Sequence, residues 1–567
     1  MKLYRFFSGG ITLIIKEYIA QIVDKALQKV LQAHDILQQP SLSIKIEYPK
    51  EEKFGDYATP IALECARILK TSPLQIGEQI KGFIDEQHIF ERIDVVKPGF
   101  LNMFLSLPFL VQRLQAIVTA NDDYGRNKKE YPRKVNIEFV SANPTGPLNV
   151  VSARAAAVGD TLANLLAASG DTVNREFYVN DYGNQVWWLG KSVWVRYQQM
   201  LGKDVIFPDE GYHGEYIKDI AKYIHENFSH ELSNINDEEK AVQFCARKAV
   251  DYNIVWQKQD LERFNVHFDT WFYESTLHES GKVLDVFKYL ESLGVITDDN
   301  GKKVFVSTKF GDDKDRVVIR DDGRPTYLMA DIAYHRTKIE RGFDLIIDIW
   351  GPDHHGYIAR LVGAMKAMGY DENQFRILIS QQVNLLTNGE AVKMSKRLGT
   401  FSTMHDLIDD IGTDVARYFF VMRSMDSHLD FDIDLAKRQS SENPVFYLQY
   451  AHARICSIFR EAQNRNINYD KIIVDTAHYS NPETITLLKL MARFPEEIYD
   501  AANSYEPHRI TVYCMRLAQA YHKFYTEHRV LSDDHDRTQS YLILCDGVRI
   551  ILKNALSLLG VCAPERM

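Results

Sequence analysis

Two lysines, a serine and an arginine fall within five positions at Lys393-Met394-Ser395-Lys396-Arg397, in a loop that follows the turn-forming Asn388-Gly389. Cations packed this closely on a loop suit negative charge that develops on a transferring phosphate. Taken alone, a basic pentamer is usually just a solvated loop. A second cluster is Glu138, Ser141, Asn143, Pro144, Gly146 and Pro147, where a strand-like run breaks into a Pro/Gly loop and then a helical run. A helix start offers unpaired N–H groups and the positive end of its dipole, so it attracts phosphate. Pro/Gly loops after strands are common, and a plain turn is the competing reading.

The elements around these clusters define how they are held. VNIEFV at 135–140 reads as a strand, SANPTGPL as its loop, and ARAAAVGDTLANLLAASG as a helix closed by Gly170. EFYV is a second strand, ending at Asn180 and Asp181, and the apolar runs DLIIDIW at 344–350 and RILIS at 376–380 are two more. Strand, loop, helix and strand in this order imply a parallel sheet with ligands at the strand carboxyl ends. Residues 188 to about 300 read as a largely helical, charged insertion that splits the sheet. Residues 15–120 read as a small α+β unit after an extension at 1–14, and 121–435 hold the sheet. From 436 to 567 the chain is wholly helical, ending in a helix with Leu544, Val548, Ile551, Leu552, Leu556 and Leu559 on one face and Gly560 as its cap. Because this tail is expected to have its own core, its removal should leave the sheet domain folded.

Length and composition bound the function. A chain of 567 residues exceeds what one core fills, so several domains are expected. The formal charge is −10, so a nucleic-acid partner would have to meet a local basic surface. Six cysteines without CxxC spacing fit reduced thiols in the cytoplasm and argue against structural zinc. No stretch reaches the roughly 18 apolar residues of a membrane span.

With these residues in place the chain resembles the arginyl-tRNA synthetases, of class Ia. The resemblance rests on SANPTGPL, on KMSKR, on FYVNDYGNQ, RPTYLMADIAYH, DIWGPDHHGYIARL and NPVFYLQYAHARI in order, and on the ending LGVCAPERM. It implies a Rossmann-like α/β catalytic core, an N-terminal tRNA-contacting α+β domain and an all-α anticodon-binding domain. It also implies a reaction: arginine and ATP, accompanied by Mg²⁺, give arginyl-adenylate, and the arginyl group passes to tRNA(Arg). No tightly bound cofactor and no bound metal are expected, and a monomer is.

Carried over by position, the family's arginine-binding residues would be Glu138, Ser141, Asn143, Gln185, Tyr327 and Asp331. A carboxylate at Asp331 can grip a guanidinium through two charge-assisted hydrogen bonds, and Tyr327, four residues earlier, shares its helix face; core packing is the alternative for Tyr327. Asn180, Asp181 and Gln185 either orient substrate or cap the next helix. Pro147, Val151, Asp353, His354, His355, Gly356, Met394 and Ser395 would line the ATP site, with Lys393, Lys396, Asn149 and Ser152 acting on the reacting phosphate. Adjacent histidines point in different directions, so His354 and His355 favour ATP contact over zinc. Tyr447, Tyr450 and Arg454 would contact tRNA, the tyrosines by stacking on unpaired bases, with core packing the competing reading.

One motif departs from the family's pattern. Where members carry a HIGH-type tetrad, often HVGH, this chain has Asn149, Val150, Val151 and Ser152. Asn149 keeps an amide donor, Ser152 is shorter and never cationic, and Val151 brings two methyl groups to where the family's glycine admits adenine. The tetrad therefore implies slower activation, and the competing function is a binding protein that holds tRNA or arginine without activating it. Asp331, Tyr327 and the intact lysine cluster favour the enzyme.

Overall fold

The computed structural model describes residues 13–36, 42–85, 88–392, 403–472 and 476–567. Near the N-terminus, α1 (Ile15–Ala33) buries Ile15, Ile19, Ile22, Val23, Ala26, Leu27 and Val30, the spacing of a single apolar helix stripe. It packs with α2 (Ile61–Leu69), α3 (Pro73–Gly82) and an antiparallel sheet of β1 (Tyr57–Thr59), β2 (Phe90–Val96) and β3 (Phe100–Leu105), in the order β1-β3-β2. Helix α4 (Leu107–Ala120) leads out of this unit, its start capped by Ser106.

The central sheet is parallel. Its strands in chain order are β4 (Lys134–Glu138), β5 (Thr172–Val179), β6 (Thr270–Tyr273), β10 (Leu345–Trp350) and β11 (Phe375–Ile379), and in space they run β11-β10-β4-β5-β6. Neighbouring residues face opposite cores: Ile347 and Phe177 join the main core while Ile346 and Tyr178 join a second one across the sheet. Helix α5 (Val150–Ala168) connects β4 to β5 and ends as its sequence implies, with Gly170 at φ +94° and the Asp171 N–H bonded to the Leu166 carbonyl.

The expected insertion is largely helical, but it also carries strands. Helices α6 (Asn184–Met200), α7 (Tyr216–Ser233) and α8 (Glu238–Arg263) fill its first part, but β6 then returns to the central sheet. After α9 (Ser275–Glu279) and α10 (Lys282–Ser292), a small antiparallel sheet follows, made of β7 (Ile296–Asp299), β8 (Lys302–Phe305) and β9 (Arg316–Ile319). The four-residue TWFY strand, lying between charged helices, is too short to show in periodicity. Helix α11 (Tyr327–Glu340) then leads to β10, and α12 (Ile358–Ala367) leads to β11.

Beyond β11 the strands β12 (Val383–Thr387), β13 (Glu390–Val392) and β14 (Leu429–Asp432) form a separate sheet in which β12 and β14 are parallel. Helices α13 (Met404–Ile411), α14 (Thr413–Val421) and α15 (Ile433–Lys437) surround it, and the tail comprises α16 (Pro444–Asn464), α17 (Pro482–Ala492), α18 (Phe494–Ser504), α19 (His508–Glu527) and α20 (His535–Leu558). Gly560 closes α20 at φ +67°, with the Val561 N–H on the Leu556 carbonyl. The tail helices pack on one another, and their core is continuous with that of the rest of the chain. One apolar cluster runs from α1 through β4 and α5 to α20, and Arg417 Nε donates to the Leu559 carbonyl at 2.9 Å. Deletion of the tail would uncover apolar surface that α5 and the N-terminal unit share with it. The N-terminal unit also docks on the tail, where buried Glu496 accepts from Tyr57 Oη at 3.0 Å and the Lys16 N–H at 2.7 Å.

Candidate active site

The chain runs outward from β4 through β5 to β6, then crosses back to place β10 on the other side of β4. Loops leaving β4 and β10 therefore part in opposite directions, which opens a crevice at their carboxyl ends, the usual ligand site of such sheets. The β4 loop turns at once: Val140 and Ser141 stand at φ +68° and +38°. Side chains rarely adopt these values, and each costs about 1–3 kcal/mol unless its surroundings enforce it. Here they do. Ser141 Oγ donates to Glu138 Oε1 at 2.8 Å and accepts from the Tyr178 N–H at 3.1 Å.

The insertion helices brace the rest of this loop. Asn253 Nδ2 donates to the Pro144 carbonyl at 2.9 Å, and Gln257 Nε2 donates to the carbonyls of Asn143 at 3.2 Å and Gly146 at 2.9 Å. Tyr216 Oη donates to the Thr145 carbonyl at 2.7 Å, and a Cβ at Gly146 would lie only 3.1 Å from that oxygen. Asn143 is exposed, and its Nδ2 reaches Gln185 Oε1 at 2.7 Å, so two of the expected arginine-site residues meet between the β4 and β5 loops.

Asp331 lies deeper, partly open to solvent, one turn after Tyr327 at the start of α11. Burial pushes its carboxyl up to about 7, and the charges of Glu274 and Glu138 add to the rise, while His335 and Tyr357 oppose it. Glu274 is 3% exposed, and the Asn180 amide, oriented to satisfy its neighbours, donates to Glu274 Oε2 at 2.9 Å. Among the described residues no lysine or arginine ion-pairs with Asp331 or Glu274; His278 Nε2 stands 3.4 Å from Glu274 Oε1. Tyr327 is 55% exposed, which removes core packing as its role. Two carboxyls with tyrosine beside them and no described lysine or arginine paired to them make a pocket matched to a small organic cation.

A charged layer fixes the floor. Glu176, Glu138 and Asp348 stand side by side in register on β5, β4 and β10, and Lys338, fully buried on α11, bridges two of them: Nζ is 2.6 Å from Glu138 Oε2 and 2.7 Å from Asp348 Oδ1. His335 Nε2 lies 2.7 Å from Asp348 Oδ2, and Glu176 accepts from Tyr334 Oη at 2.6 Å and Arg341 at 2.8 Å. Burial pulls the Lys338 ammonium down, but the attraction of Asp348, Glu138 and Glu176 outweighs it and holds its pKa above the ordinary value. Glu138 thus has each oxygen engaged by protein, and its direct work is to hold Ser141 and Lys338. Asp181 likewise serves structure: it accepts from the Ser275 N–H at 2.9 Å and the Ser275 hydroxyl at 2.6 Å, tying β5 to α9.

On the other side of the crevice, Pro147 leads to the start of α5. Asn149 caps that helix, its Oδ1 accepting from the Ser152 N–H at 2.9 Å and the Ser152 hydroxyl at 3.1 Å. Its amide N–H₂ makes no hydrogen bond to the described residues. Val150 is buried, whereas Val151 is 37% exposed at the helix start. Asp353, His354, His355 and Gly356 lie exposed on a 3₁₀ turn, Pro352–Tyr357, at the carboxyl end of β10. Among the described residues no three His, Cys, Asp or Glu side chains converge as for a metal. Lys393, Met394, Ser395 and Lys396 lie outside the described residues; β13 ends one position before them.

Comparison with known proteins decides the family. Residues 113–424 match the catalytic domain of class I tRNA synthetases (R), 15–105 the arginyl tRNA synthetase N terminal domain and 448–567 the DALR anticodon binding domain. This chain belongs to the arginyl-tRNA synthetases. An arginine–tRNA ligase of Leptospira interrogans is 47% identical, over 98% of each chain, and one of Geobacillus kaustophilus is 44% identical, over 97% of this chain and all of its own. The fold is also that of the Thermus thermophilus and Plasmodium falciparum arginyl-tRNA synthetases, with TM-scores of 0.74 and 0.76 at 20% and 19% identity, over 98% of this chain and 100% of each of theirs. These relatives give the non-activating alternative no support.

The tail of the synthetase carries a cavity of its own, apart from the crevice. A groove of about 880 Å³ is lined by Tyr450, Arg454, Arg460, Tyr525, Arg529 and Arg566 among others. Arg454 lays its guanidinium 4.5 Å from the centre of the Tyr450 ring, and Tyr450 is 39% exposed. Tyr447 is turned away, half-buried with its ring 4.7 Å from that of His522. Of the expected tRNA contacts, the structure thus groups Tyr450 and Arg454 and separates Tyr447. Glu274, Lys338 and the bracing trio Asn253, Gln257 and Tyr216 are not among the residues to which the sequence points. Glu274 directly follows β6, the short strand that periodicity does not show.

Proposed function

We propose that this chain is an arginine–tRNA ligase whose arginine is read by Asp331 and Glu274 at the carboxyl end of the central sheet. The observation that carries the reading is the Asp331 carboxyl, raised to about 7 and paired with no described lysine or arginine, with buried Glu274 close by and exposed Tyr327 one turn away. A guanidinium there gains two charge-assisted hydrogen bonds and relieves carboxyls that burial penalises. Asn143 and Gln185 lie nearer the mouth, where the substrate's ammonium and carboxylate would sit.

An arginine carboxylate oxygen then attacks the α-phosphorus of ATP, pyrophosphate leaves, and a ribose hydroxyl of the tRNA's terminal nucleotide displaces AMP from the carbonyl carbon. Such chemistry needs positioning and charge stabilisation more than a protein nucleophile. The start of α5, with the Asn149 amide and the exposed N–H groups of the first turn, supplies donors on the ATP side. Lys393 and Lys396 supply cations, and Pro147, Val151, Asp353, His354, His355, Gly356, Met394 and Ser395 line the nucleotide. Mg²⁺ enters as part of the ATP complex. The arginine-rich groove of the tail takes the unpaired bases and phosphates of tRNA(Arg). A monomer acting in the cytoplasm fits this reading, and among the described residues no helix is long and apolar enough to cross a membrane.

The test is arginine-dependent exchange of pyrophosphate into ATP, with and without tRNA, followed by charging of tRNA(Arg). Exchange driven equally by lysine, or none under any condition, would overturn the reading.

A further inference from the structure

Arg154 is fully buried on the second turn of α5, yet among the described residues no carboxylate pairs with it. Its guanidinium spends its two terminal nitrogens on backbone carbonyls from two distant segments. Nη1 donates to Gln381 at 2.7 Å and Gln382 at 3.4 Å, and Nη2 donates to Ser424 and Ser427 at 3.0 Å each. The first segment joins β11 to β12, and the second joins α14 to β14. They also hold one another: the Gln381 N–H meets the Met425 carbonyl at 3.0 Å, and the Leu429 N–H meets the Gln382 carbonyl at 3.1 Å. Arg154 therefore sits at the root of the β12–β14 sheet, and the same helix starts at Asn149 only five residues earlier.

A buried cation whose direct partners are carbonyls is costly even with the charge of Asp426 acting on it. Burial pushes the Arg154 guanidinium down to about 10, and its Nε has no partner among the described residues. An apolar side chain of similar length would fill the space without that cost, so packing does not explain the choice. The planar fork does, because it can reach carbonyls on two segments at once, whereas a lysine ammonium directs its donors from a single point. What the fork joins is informative. On one side is the helix start that faces ATP; on the other is the sheet whose β12–β13 hairpin runs directly into Lys393 in the sequence.

We propose that Arg154 is a positioning residue for the ATP half of the active site, fixing the root of the β12–β14 sheet to the helix that begins at Asn149. It touches no substrate itself. The proposal rests on the ligase reading, which wild-type exchange and charging test on their own; only the ratio of variant to wild type tests Arg154.

The experiment measures pyrophosphate exchange in the full-length protein with tRNA present, titrating ATP and arginine separately, for Arg154→Lys and Arg154→Met. A misplacement of about 1 Å costs on the order of 10²-fold in rate, so Arg154→Met should lose about that in kcat and raise the KM for ATP. The KM for arginine should stay within about twofold, because Asp331 and Glu274 belong to other elements. Arg154→Lys keeps charge and stem but cannot span both segments, so its exchange rate should fall between wild type and Arg154→Met. Hydrogen exchange on Arg154→Lys should quicken at 381–392 and 424–429 and leave 327–340 unchanged. Three results would overturn the proposal: wild-type kinetics in both variants, equal loss of ATP and arginine affinity, or global unfolding of Arg154→Lys, which would make the residue a general core element.

Discussion

Lys338 Nζ lies 2.6 Å from Glu138 Oε2, and this bond ties α11, which carries Tyr327 and Asp331, to the strand from which the signature loop departs. The ammonium also holds Asp348 on the adjacent strand, so one buried cation sets the spacing of β4, β10 and α11 beneath the crevice.

Lys338→Met should destabilise the protein by about 3–5 kcal/mol at pH 8, because Glu138 and Asp348 would remain buried side by side without their cation. Lys338 and His335 hold Asp348 below the usual carboxylate range despite its burial. That stabilisation is present above the unfolded carboxyl's pKa and is lost as the pH falls through the folded one. In the variant the Asp348 carboxyl loses its cation and shifts upward, so the deficit should shrink as the pH falls from 8 to 5. Urea unfolding at the two pH values checks this, and a deficit below about 1 kcal/mol at pH 8 would show that the layer is not held by this ion.

Asp331 works in the opposite sense. Its carboxyl is raised to about 7, so protons favour the folded state, and stability that is full at low pH is lost as the pH rises through 7. Arginine needs the ionised form; the KM for arginine should therefore fall between pH 6 and 8, with a proton released on binding near neutrality. Calorimetry in buffers of different ionisation heat reads that proton. Asp331→Asn should weaken arginine by a few kcal/mol and, at pH 8, stabilise the free protein by on the order of 2 kcal/mol, since a neutral amide replaces a penalised charge. A variant with unchanged arginine affinity would remove Asp331 from the site.

What could be read from sequence, and what could not, follows from how local each feature is. Strand β4, its Pro/Gly loop, helix α5 and the αL glycines at 170 and 560 depend on neighbours within a turn, and they stand where periodicity puts them. That Tyr327 and Asp331 share one helix face was legible because four residues make about one helical turn. Glu274 was hidden because β6 reaches the sheet from inside a charged helical segment. Lys338 was hidden because it looks like any helix lysine until β4 and β10 are laid side by side. The continuity of the tail's core with the rest was hidden too, since an apolar stripe does not reveal which other elements it meets beyond its own helices.

The arginine-rich groove makes a prediction separable from the crevice. Arg454→Ala should weaken tRNA binding and reduce the slope of log affinity against log salt by about 1 for each phosphate that the side chain no longer neutralises. Tyr450→Ala should cost about 1–3 kcal/mol of tRNA affinity if a base stacks there, whereas Tyr447→Phe should cost little, because that ring already packs on His522. Filter binding at several salt concentrations reads each effect. Equal losses from Tyr447→Phe and Tyr450→Ala would move the RNA off this groove.

The altered tetrad supplies the last prediction. Asn149 and Ser152 form a self-consistent helix start, and Asn149→Ala should therefore cost about 1 kcal/mol of stability by removing the cap. The same cap limits Ser152: its hydroxyl points back to Asn149, so its donor is spent at home and not on a phosphate. Val151 is different, because it is exposed at the helix start and holds nothing in the core. Val151→Gly should then mainly lower the KM for ATP by clearing bulk, at a helix cost of up to about 1 kcal/mol. Ser152→His should mainly raise kcat, since one well-placed donor is worth about 10²–10³-fold where charge develops. The triple change Asn149→His, Val151→Gly and Ser152→His should combine these gains while losing the cap, giving faster adenylate formation in a less stable protein with unchanged affinity for arginine. Exchange kinetics beside thermal unfolding separate the two effects. A wild-type rate that the triple variant fails to exceed would mean that the Asn149 amide and the free N–H groups of α5 already supply what the tetrad must, in a pocket shaped around Val151.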